Sequence, residues 1–171
     1  MNLVVACSLD CAIGNKGNLL CHVSEDMKRF KELTAGNVVI MGQKTLESLP
    51  GGKPLPNRDN IVLTFDENYN VDGADVVHNE TELFDLLDKK YKNREHWIIG
   101  GASIYNQFYK YCSKAYITWF DLIDKDADAR IVDFETLPDW NLIDDGPWLV
   151  SKNGIMYQFC VYENSNVEQV D

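Results

Sequence analysis

The chain has 171 residues, of which 45% are hydrophobic, so it is long enough for about one ordinary domain with its own core. Its formal net charge of −11 disfavours nucleic acid and anionic membranes as partners, because both are bound through basic patches. The charge does not exclude a small anionic ligand held by a few nearby Lys and Arg side chains, since screening by salt limits the range of charge–charge interactions to ~8–10 Å.

Cysteine usage and hydropathy indicate a protein of a reducing compartment. The five cysteines form an odd set without a Cys-x-x-Cys pair, which argues against a disulfide framework and a thiolate zinc site. The three histidines are widely spaced, so no metal is expected. Neither a membrane-length apolar run nor a leader is visible. We therefore expect a soluble, cytoplasmic protein.

The first elements predicted along the chain are a strand, a loop and a helix. The apolar run from Leu3 to Leu9 predicts a buried strand, and the turn residues of 13–18 predict a long, mobile loop after it. Ser24 is the predicted N-cap of the following helix. Two acidic residues come next, and apolar residues then recur with helical spacing, so we predict a helix over 24–34.

A strand, a glycine turn and a helix then follow one another twice. Residues 38–41 predict a strand that ends at Gly42 and leads into a short helix over 43–48. The β-branched residues before Gly100-Gly101 predict a second such strand, followed by a helix over 102–111. Such turns can bind phosphate, because glycine lets a ligand approach the backbone and a helix N-terminus offers free N–H groups. A sharp turn without a ligand explains the same pattern.

The other predicted elements complete a single sheet. They are strands over 60–64, 76–77 and 115–120, a helix over 81–91 and an antiparallel hairpin in the C-terminal third. Strands that alternate with helices imply parallel pairing. We predict an α/β fold with a mostly parallel twisted sheet, flanking helices and an antiparallel C-terminal edge hairpin. One domain is predicted over 1–163, with a polar, frayed tail over 164–171.

Four features in chain order carry a resemblance to a known family. They are the Ile13-Gly14 loop, the helix with Asp26-x3-Phe30-Lys31, the turn Met41-Gly42-x2-Thr45 and the turn Ile99-Gly100-Gly101. Together with the loop over 54–60, they resemble dihydrofolate reductases over roughly residues 3 to 162. The resemblance implies an NADPH-dependent oxidoreductase of one-carbon metabolism that reduces 7,8-dihydrofolate to 5,6,7,8-tetrahydrofolate. It also implies a monomer whose partner is this small-molecule substrate.

The acid of this pattern is Asp26. In the family, the matching carboxylate accepts hydrogen bonds from the pterin ring and promotes protonation of its imine nitrogen. A carboxylate at a helix N-terminus beside apolar side chains is stabilised by the helix dipole and destabilised by desolvation. The alternative is that Asp26 only complements the dipole beside Glu25. The resemblance assigns catalytic roles to Asp26, Leu19, Tyr105 and Thr118, with Thr118 supporting the carboxylate.

The resemblance also implies two sets of binding residues. Arg58 would clamp the glutamate tail of the substrate by two parallel hydrogen bonds, the alternative being a solvated loop arginine. The implied substrate residues are Val4, Val5, Asp26, Met27, Phe30, Leu49, Leu55, Arg58, Ile99 and Thr118. The implied NADPH residues are Ala6, Ile13, Asn18, Leu19, Gly42, Gln43, Lys44, Thr45, Leu63, Thr64, Ile99, Gly100, Gly101, Ala102, Ser103, Ile104 and Tyr105.

The sequence departs from the family pattern at two places. Leu20-Cys21 stands where a Pro-Trp pair usually precedes the acid-headed helix, which affects the proton route. Gln43 and Phe65 stand where basic or polar residues often meet the 2′-phosphate of the cofactor, so its recognition rests on Lys44, on Thr64 or on a residue that the sequence does not identify. By similarity, the Gly100-Gly101 peptide is cis and Asp128 tethers the loop over 13–22.

Two alternatives to the reductase remain open. One is a pyrimidine reductase of riboflavin synthesis, which has the same fold and cofactor site; the Asp26 helix and Arg58 count against it. The other is a catalytically weak folate- or nucleotide-binding protein, suggested by Leu20-Cys21 and Gln43. Turnover of dihydrofolate separates the three.

Overall fold

The computed structural model describes residues 1–171, which form eleven β-strands and four α-helices. The strands are Asn2–Ser8 (β1), Ala12–Asn15 (β2), Asn18–Leu19 (β3), Val38–Gly42 (β4), Asp59–Leu63 (β5), Ala74–Val77 (β6), His96–Gly100 (β7), Lys114–Phe120 (β8), Ala129–Arg130 (β9), Trp140–Val150 (β10) and Met156–Asn164 (β11). The helices are Ser24–Thr34 (α1), Gln43–Ser48 (α2), Glu80–Lys90 (α3) and Ala102–Phe108 (α4). No helix has the length and apolar character needed to span a bilayer.

Eight strands form one sheet in the order β10-β11-β8-β1-β7-β4-β5-β6. From β8 to β6 all neighbours are parallel, whereas β11 pairs antiparallel with β8 and with β10. This confirms the predicted α/β class and the antiparallel C-terminal edge hairpin. The carboxyl ends of the parallel strands meet along one edge of the sheet, the usual position of a ligand site in such folds.

Alternation along the strands divides the core between the two faces of the sheet. Val38 and Ile40 of β4 belong to an α3/α4 cluster, in which Leu83, Leu87, Ile104 and Phe108 cover one face. Val39 and Met41 belong to an α1/α2 cluster on the other face, with Leu46 of α2 and with Phe30 and Leu33 of α1 packed against it. Residues that are adjacent in a strand therefore reach opposite sides of the molecule.

The prediction of a loop over 13–18 is wrong in part. A second, three-stranded antiparallel sheet in the order β3-β2-β9 lies here. Lys16 and Gly17 form the turn between β2 and β3 with φ angles of 50° and 79°, as a two-residue hairpin turn with positive φ requires. The turn residues that suggested a loop are those that close this hairpin. Asp128 accepts a hydrogen bond from the Lys16 backbone N–H at 3.0 Å.

Among the differences from the predicted element ends, three concern α1, α4 and the C-terminal tail. Val23, not Ser24, is the N-cap of α1, and Ser24 Oγ instead donates to Glu25 Oε2 at 3.2 Å. The helix predicted over 102–111 ends at Phe108, and Tyr109–Tyr111 continue as a 3-10 turn. The polar tail beyond β11 has no regular structure, but it is not wholly frayed, because Glu168 N donates to Lys110 O at 3.0 Å.

Candidate active site

The acid of the site lies where α1 begins, facing β8. Thr118 of β8 is 1% exposed and donates a hydrogen bond from Oγ1 to Asp26 Oδ1 at 2.6 Å. Burial raises the pKa of Asp26 above the usual carboxyl range, while the Thr118 hydrogen bond and the positive charge of Arg29 act in the opposite direction. A carboxyl group with a raised pKa can hold and release a proton closer to neutral pH, which suits acid-base chemistry.

Tyr105 lies at the carboxyl edge of the sheet beside β1. Its hydroxyl donates to the Val4 carbonyl at 2.7 Å, and burial, with the negative charge of Asp26, raises the pKa of the phenol above its usual value. The ring packs against Gly100, where a Cβ would lie 3.1 Å from Tyr105 Cε2. Tyr105 is therefore a neutral group fixed between β1 and β7, in the field of Asp26.

The two glycine turns lie side by side. Met41 of β4 is paired with Gly100 of β7, so the helices that follow, α2 and α4, begin at the same edge. A Cβ on Gly42 would lie 3.2 Å from Ile104 Cγ1, and one on Gly101 would lie 3.4 Å from Thr45 Oγ1. The Gly100–Gly101 peptide is cis, as the resemblance implies. The two turns pack closely because neither glycine carries a side chain. Backbone without side chains at a helix N-terminus is also what a phosphate group can approach closely.

Beside these turns, a chain of hydrogen bonds links α2 to the end of β5. Thr64 Oγ1 donates to Gln43 Oε1 at 2.6 Å, and Gln43 Nε2 donates to Glu47 Oε1 at 2.9 Å. The side chains of Gln43 and Thr64 therefore satisfy each other. Lys44, next along α2, is exposed and carries the positive charge at this position.

Arg58 is oriented by main-chain and side-chain partners. Its Nη1 donates to Thr34 Oγ1 at 3.1 Å and its Nε donates to Pro56 O at 2.9 Å, while Thr34 Oγ1 donates to Phe30 O at 2.8 Å. Two of the five guanidinium N–H donors are used in this way, and the others stay available to a carboxylate. The arginine is therefore a fixed group and not a freely solvated one.

The structure brings most of the predicted substrate residues to one side of the sheet. Val4 and Ile99 are buried in the α1/α2 cluster, and Phe30, Leu49 and Leu55 pack against it. These side chains form an apolar surface. Phe30 lies on α1, the helix that also carries Asp26, and Thr34 at the end of this helix accepts a hydrogen bond from Arg58.

Other predicted residues lie elsewhere. Val5 and Leu63 point into the α3/α4 cluster, so their side chains are on the opposite face from Val4 and Ile99. Alternation along β1 and β5 is the reason, and main-chain atoms are what these two residues can offer the site. Leu19 and Met27 are 71% and 43% exposed. Among the cofactor set, Asn18 and Ser103 are also exposed.

Two groups at the site were missed by sequence reasoning. Arg29 follows Asp26 by three positions, and its guanidinium lies over the Phe159 ring at 4.4 Å from the centroid. Arg130 anchors the β2–β3 hairpin, with Nη1 at 2.8 Å from both the carbonyl and the carboxylate of Asp10. The i, i+3 spacing was a usable signal for Arg29. No local signal marks the Arg130 contact, because its partners are distant in sequence.

Comparisons with known proteins show what the chain as a whole is similar to. A family model described as dihydrofolate reductase matches residues 1–164. The dihydrofolate reductase of Mycobacterium leprae (strain TN) is 36% identical over 168 residues, covering 96% of this chain and 98% of that protein. The enzyme of the same name from Bacillus subtilis (strain 168) is 32% identical over 167 residues, covering 97% and 95%. A solved dihydrofolate reductase from Enterococcus faecalis, complexed with NADP(H) and RAB-propyl, superposes with a TM-score of 0.82 at 27% identity, covering 95% of each chain.

Proposed function

The chain belongs to the dihydrofolate reductase family, and from this membership we propose that it reduces 7,8-dihydrofolate to 5,6,7,8-tetrahydrofolate with NADPH. It is an NADP-linked oxidoreductase. The observation that carries the assignment of the catalytic centre is the partly buried carboxyl group of Asp26, which lies at the start of α1 and accepts a hydrogen bond from Thr118. This group lies on the side of the sheet where the apolar surface and Arg58 also lie.

Asp26 has two roles in the proposed reaction. Its carboxylate accepts hydrogen bonds from the amino group and ring nitrogen of the pterin, which fixes the ring over Val4 and Ile99. The same group favours protonation of the imine nitrogen, which makes the neighbouring carbon a better hydride acceptor. The raised pKa of Asp26 supports this role, because an ordinary surface carboxyl would hold almost no proton at neutral pH.

The residues of the two glycine turns fit a dinucleotide. NADPH, when bound, supplies the hydride. We propose that the backbone at Gly42 and Gly101, with Thr45, holds its phosphate groups, because each glycine is the N-cap of a helix and offers backbone without a Cβ. Ala6, Ile13 and Leu19 then border the nicotinamide. Lys44 is the proposed partner of the 2′-phosphate, since Thr64 and Gln43 are already bonded to each other.

Arg58 and the apolar residues complete the substrate site in this proposal. Phe30, Leu49 and Leu55 pack on the benzoyl ring, and the free donors of Arg58 receive the carboxylate of the glutamate tail. A monomer suffices for this arrangement, because every residue named comes from one chain.

The direct test is consumption of NADPH by the purified protein, with and without dihydrofolate. Turnover that depends on dihydrofolate and falls by at least about 10²-fold in Asp26→Asn is the expected result. Glu32→Gln, which removes an exposed carboxylate from the same helix, is the matched control. Saturable NADPH binding without turnover would contradict the proposal and favour a binding protein. Turnover of a pyrimidine of riboflavin synthesis instead of dihydrofolate would favour the other reductase.

A further inference from the structure

Arg29 is a half-buried cation one helical turn beyond Asp26. Its guanidinium carbon lies 4.4 Å from the Phe159 ring centroid and 5.7 Å from that of Tyr116. Its Nη1 donates a long hydrogen bond of 3.4 Å to Ile117 O. None of the ion pairs within 4.0 Å involves it. The group is therefore held mainly by ring stacking and by one carbonyl of β8.

A charge in such a position has a large effect on its neighbours. Burial lowers the pKa of Arg29, but a guanidinium keeps its proton at every pH at which the protein is folded. The low local dielectric carries its field further than at the surface. Residues three apart on a helix lie on the same side, and the positive charge of Arg29 acts on the Asp26 carboxylate.

Arg29 of α1 and Thr118 of β8 act on the same carboxyl group, and both are linked to one short stretch of β8. The Ile117 carbonyl receives Arg29, and the next residue, Thr118, donates to Asp26. Arg29 is thus bonded to the residue that directly precedes the threonine donor of Asp26. The position of Arg29 is set by the sheet and not by the flexibility of its own side chain.

The other titratable groups around the pair are thiols, phenols and one carboxylate. Those that face Arg29 from β8, β10 and β11 are Tyr116, Asp144 and Cys160. Those affected by Asp26 are Cys7, Cys21 and Tyr105. Burial raises the pKa of Cys21 and of Cys160 to about 11, so neither thiol is charged near neutral pH. Asp144 is exposed, and water screens its charge.

We infer that Arg29 is a positioning residue for the reaction: held by the Ile117 carbonyl and the Phe159 ring, its fixed charge stabilises the Asp26 carboxylate and thereby sets the pH range in which Asp26 binds its proton. This inference rests on the proposed function. Without Arg29, Asp26 retains the Thr118 hydrogen bond but loses the only nearby cation that opposes the effect of burial. The acid then stays protonated up to a higher pH.

The test compares Arg29→Gln, which removes the charge, with Arg29→Lys, which keeps it. The control is Lys28→Gln, which removes an equal positive charge from the neighbouring, exposed position of α1. The pH titration of the Asp26 carboxyl carbon is followed by 13C NMR in the ligand-free proteins, with Asp26→Asn used to assign the signal. The pH dependence of single-turnover reduction of dihydrofolate is measured for the same variants.

The expected result is a titration midpoint of Asp26 that moves to higher pH in Arg29→Gln, stays close to wild type in Arg29→Lys and is unchanged in Lys28→Gln. The decline of the reduction rate at high pH moves in the same direction. An unchanged titration midpoint of Asp26 in Arg29→Gln overturns the inference. A lower melting temperature of this variant does not support the inference, because lost packing alone has that effect. Should Arg29→Gln not fold, Arg29→Met, which keeps the apolar stem, takes its place. Wild-type protein that titrates as expected but does not reduce dihydrofolate refutes the proposed function and not the electrostatic role of Arg29.

Discussion

Thr118 and Asp26 are 92 positions apart in the sequence, yet the threonine Oγ1 lies 2.6 Å from the carboxyl Oδ1. Replacing Thr118 by Val keeps the shape of the side chain and removes the donor. We expect the pKa of Asp26 to rise further, because burial then acts with less opposition. The pH at which the reduction rate declines should move upwards, and KM for dihydrofolate should increase several-fold, because Asp26 is no longer held in place by its donor. Thr118→Ser, which keeps the hydroxyl, should stay close to wild type in both measurements.

Arg58 provides a test of the substrate's tail. Arg58→Leu should raise KM for dihydrofolate about 10- to 100-fold with little change in kcat, because the lost hydrogen bonds to a carboxylate act on binding and not on the reacting atoms. Thr34→Val, which frees Arg58 Nη1, should have a smaller effect in the same direction. The control is a dihydropterin without a glutamate tail, for which wild type and Arg58→Leu should have the same kcat/KM. A difference that persists with this substrate would show that Arg58 acts in another way.

Lys44 is expected to distinguish the two nicotinamide cofactors. In Lys44→Gln, KM for NADPH should increase by about two- to tenfold, the range expected for an exposed charge-assisted contact, while KM for NADH should not change. Steady-state kinetics with each cofactor measure the ratio. Equal effects on both cofactors would exclude Lys44 as the partner of the 2′-phosphate and would leave Thr64 as the candidate for this contact.

Gly100 combines two constraints at the second glycine turn. Its φ is +119°, a conformation that L side chains rarely adopt, and a Cβ would lie 3.1 Å from Tyr105 Cε2. Gly100→Ala should lower the free energy of unfolding by about 1–3 kcal/mol. Gly101 has a φ of −81° and room for a Cβ at ordinary contact distance, so Gly101→Ala should cost less. Urea unfolding of the three proteins gives the comparison, and equal losses would refute this explanation.

The hairpin formed by β2 and β3 should depend on Asp10 and Arg130. Hydrogen bonds from Ser8 and Arg130 lower the pKa of Asp10 to about 2, from an unfolded value of 3.8. The contribution of Asp10 to stability is therefore complete above about pH 4 and is lost as the pH falls through about 2. Arg130→Met should increase amide hydrogen exchange in residues 12–19 at neutral pH, and the difference from wild type should become smaller in acid, where only the bonds from Arg130 to backbone carbonyls remain. A difference that is independent of pH would exclude this ion pair as its cause.

The sequence predicted the elements whose signals are local. The helix over 24–34 and the short helix over 43–48 have acids or apolar residues at helical spacing, and both form with those bounds. The hairpin at 12–19 was missed because Lys16 and Gly17 mark a loop and a tight turn equally well. One of its strands, β2, also pairs with β9, which lies more than a hundred residues further along the chain and gives no local signal.

The site was predictable to the extent that its residues belong to motifs. The glycine turns and Asp26 stand out in the sequence, and the resemblance supplied Thr118 and Arg58. Arg29 was not predicted, since its importance depends on the Ile117 carbonyl and the Phe159 ring, which other strands bring to it. The side chains of Val5 and Leu63 could have been assigned to the far face by strand alternation alone.

The position of β1 determines when the molecule can become active. This strand precedes the others in the chain, but Leu3 pairs with Ile98 on one side and with Ala115 on the other. A growing chain on the ribosome therefore carries an apolar strand with both edges unpaired until β7 and β8 have emerged. Such a segment invites association with other chains, and the late pairing of distant segments slows folding. Val4, whose carbonyl receives Tyr105, lies on this strand, so catalytic competence is among the last properties that the newly made chain acquires.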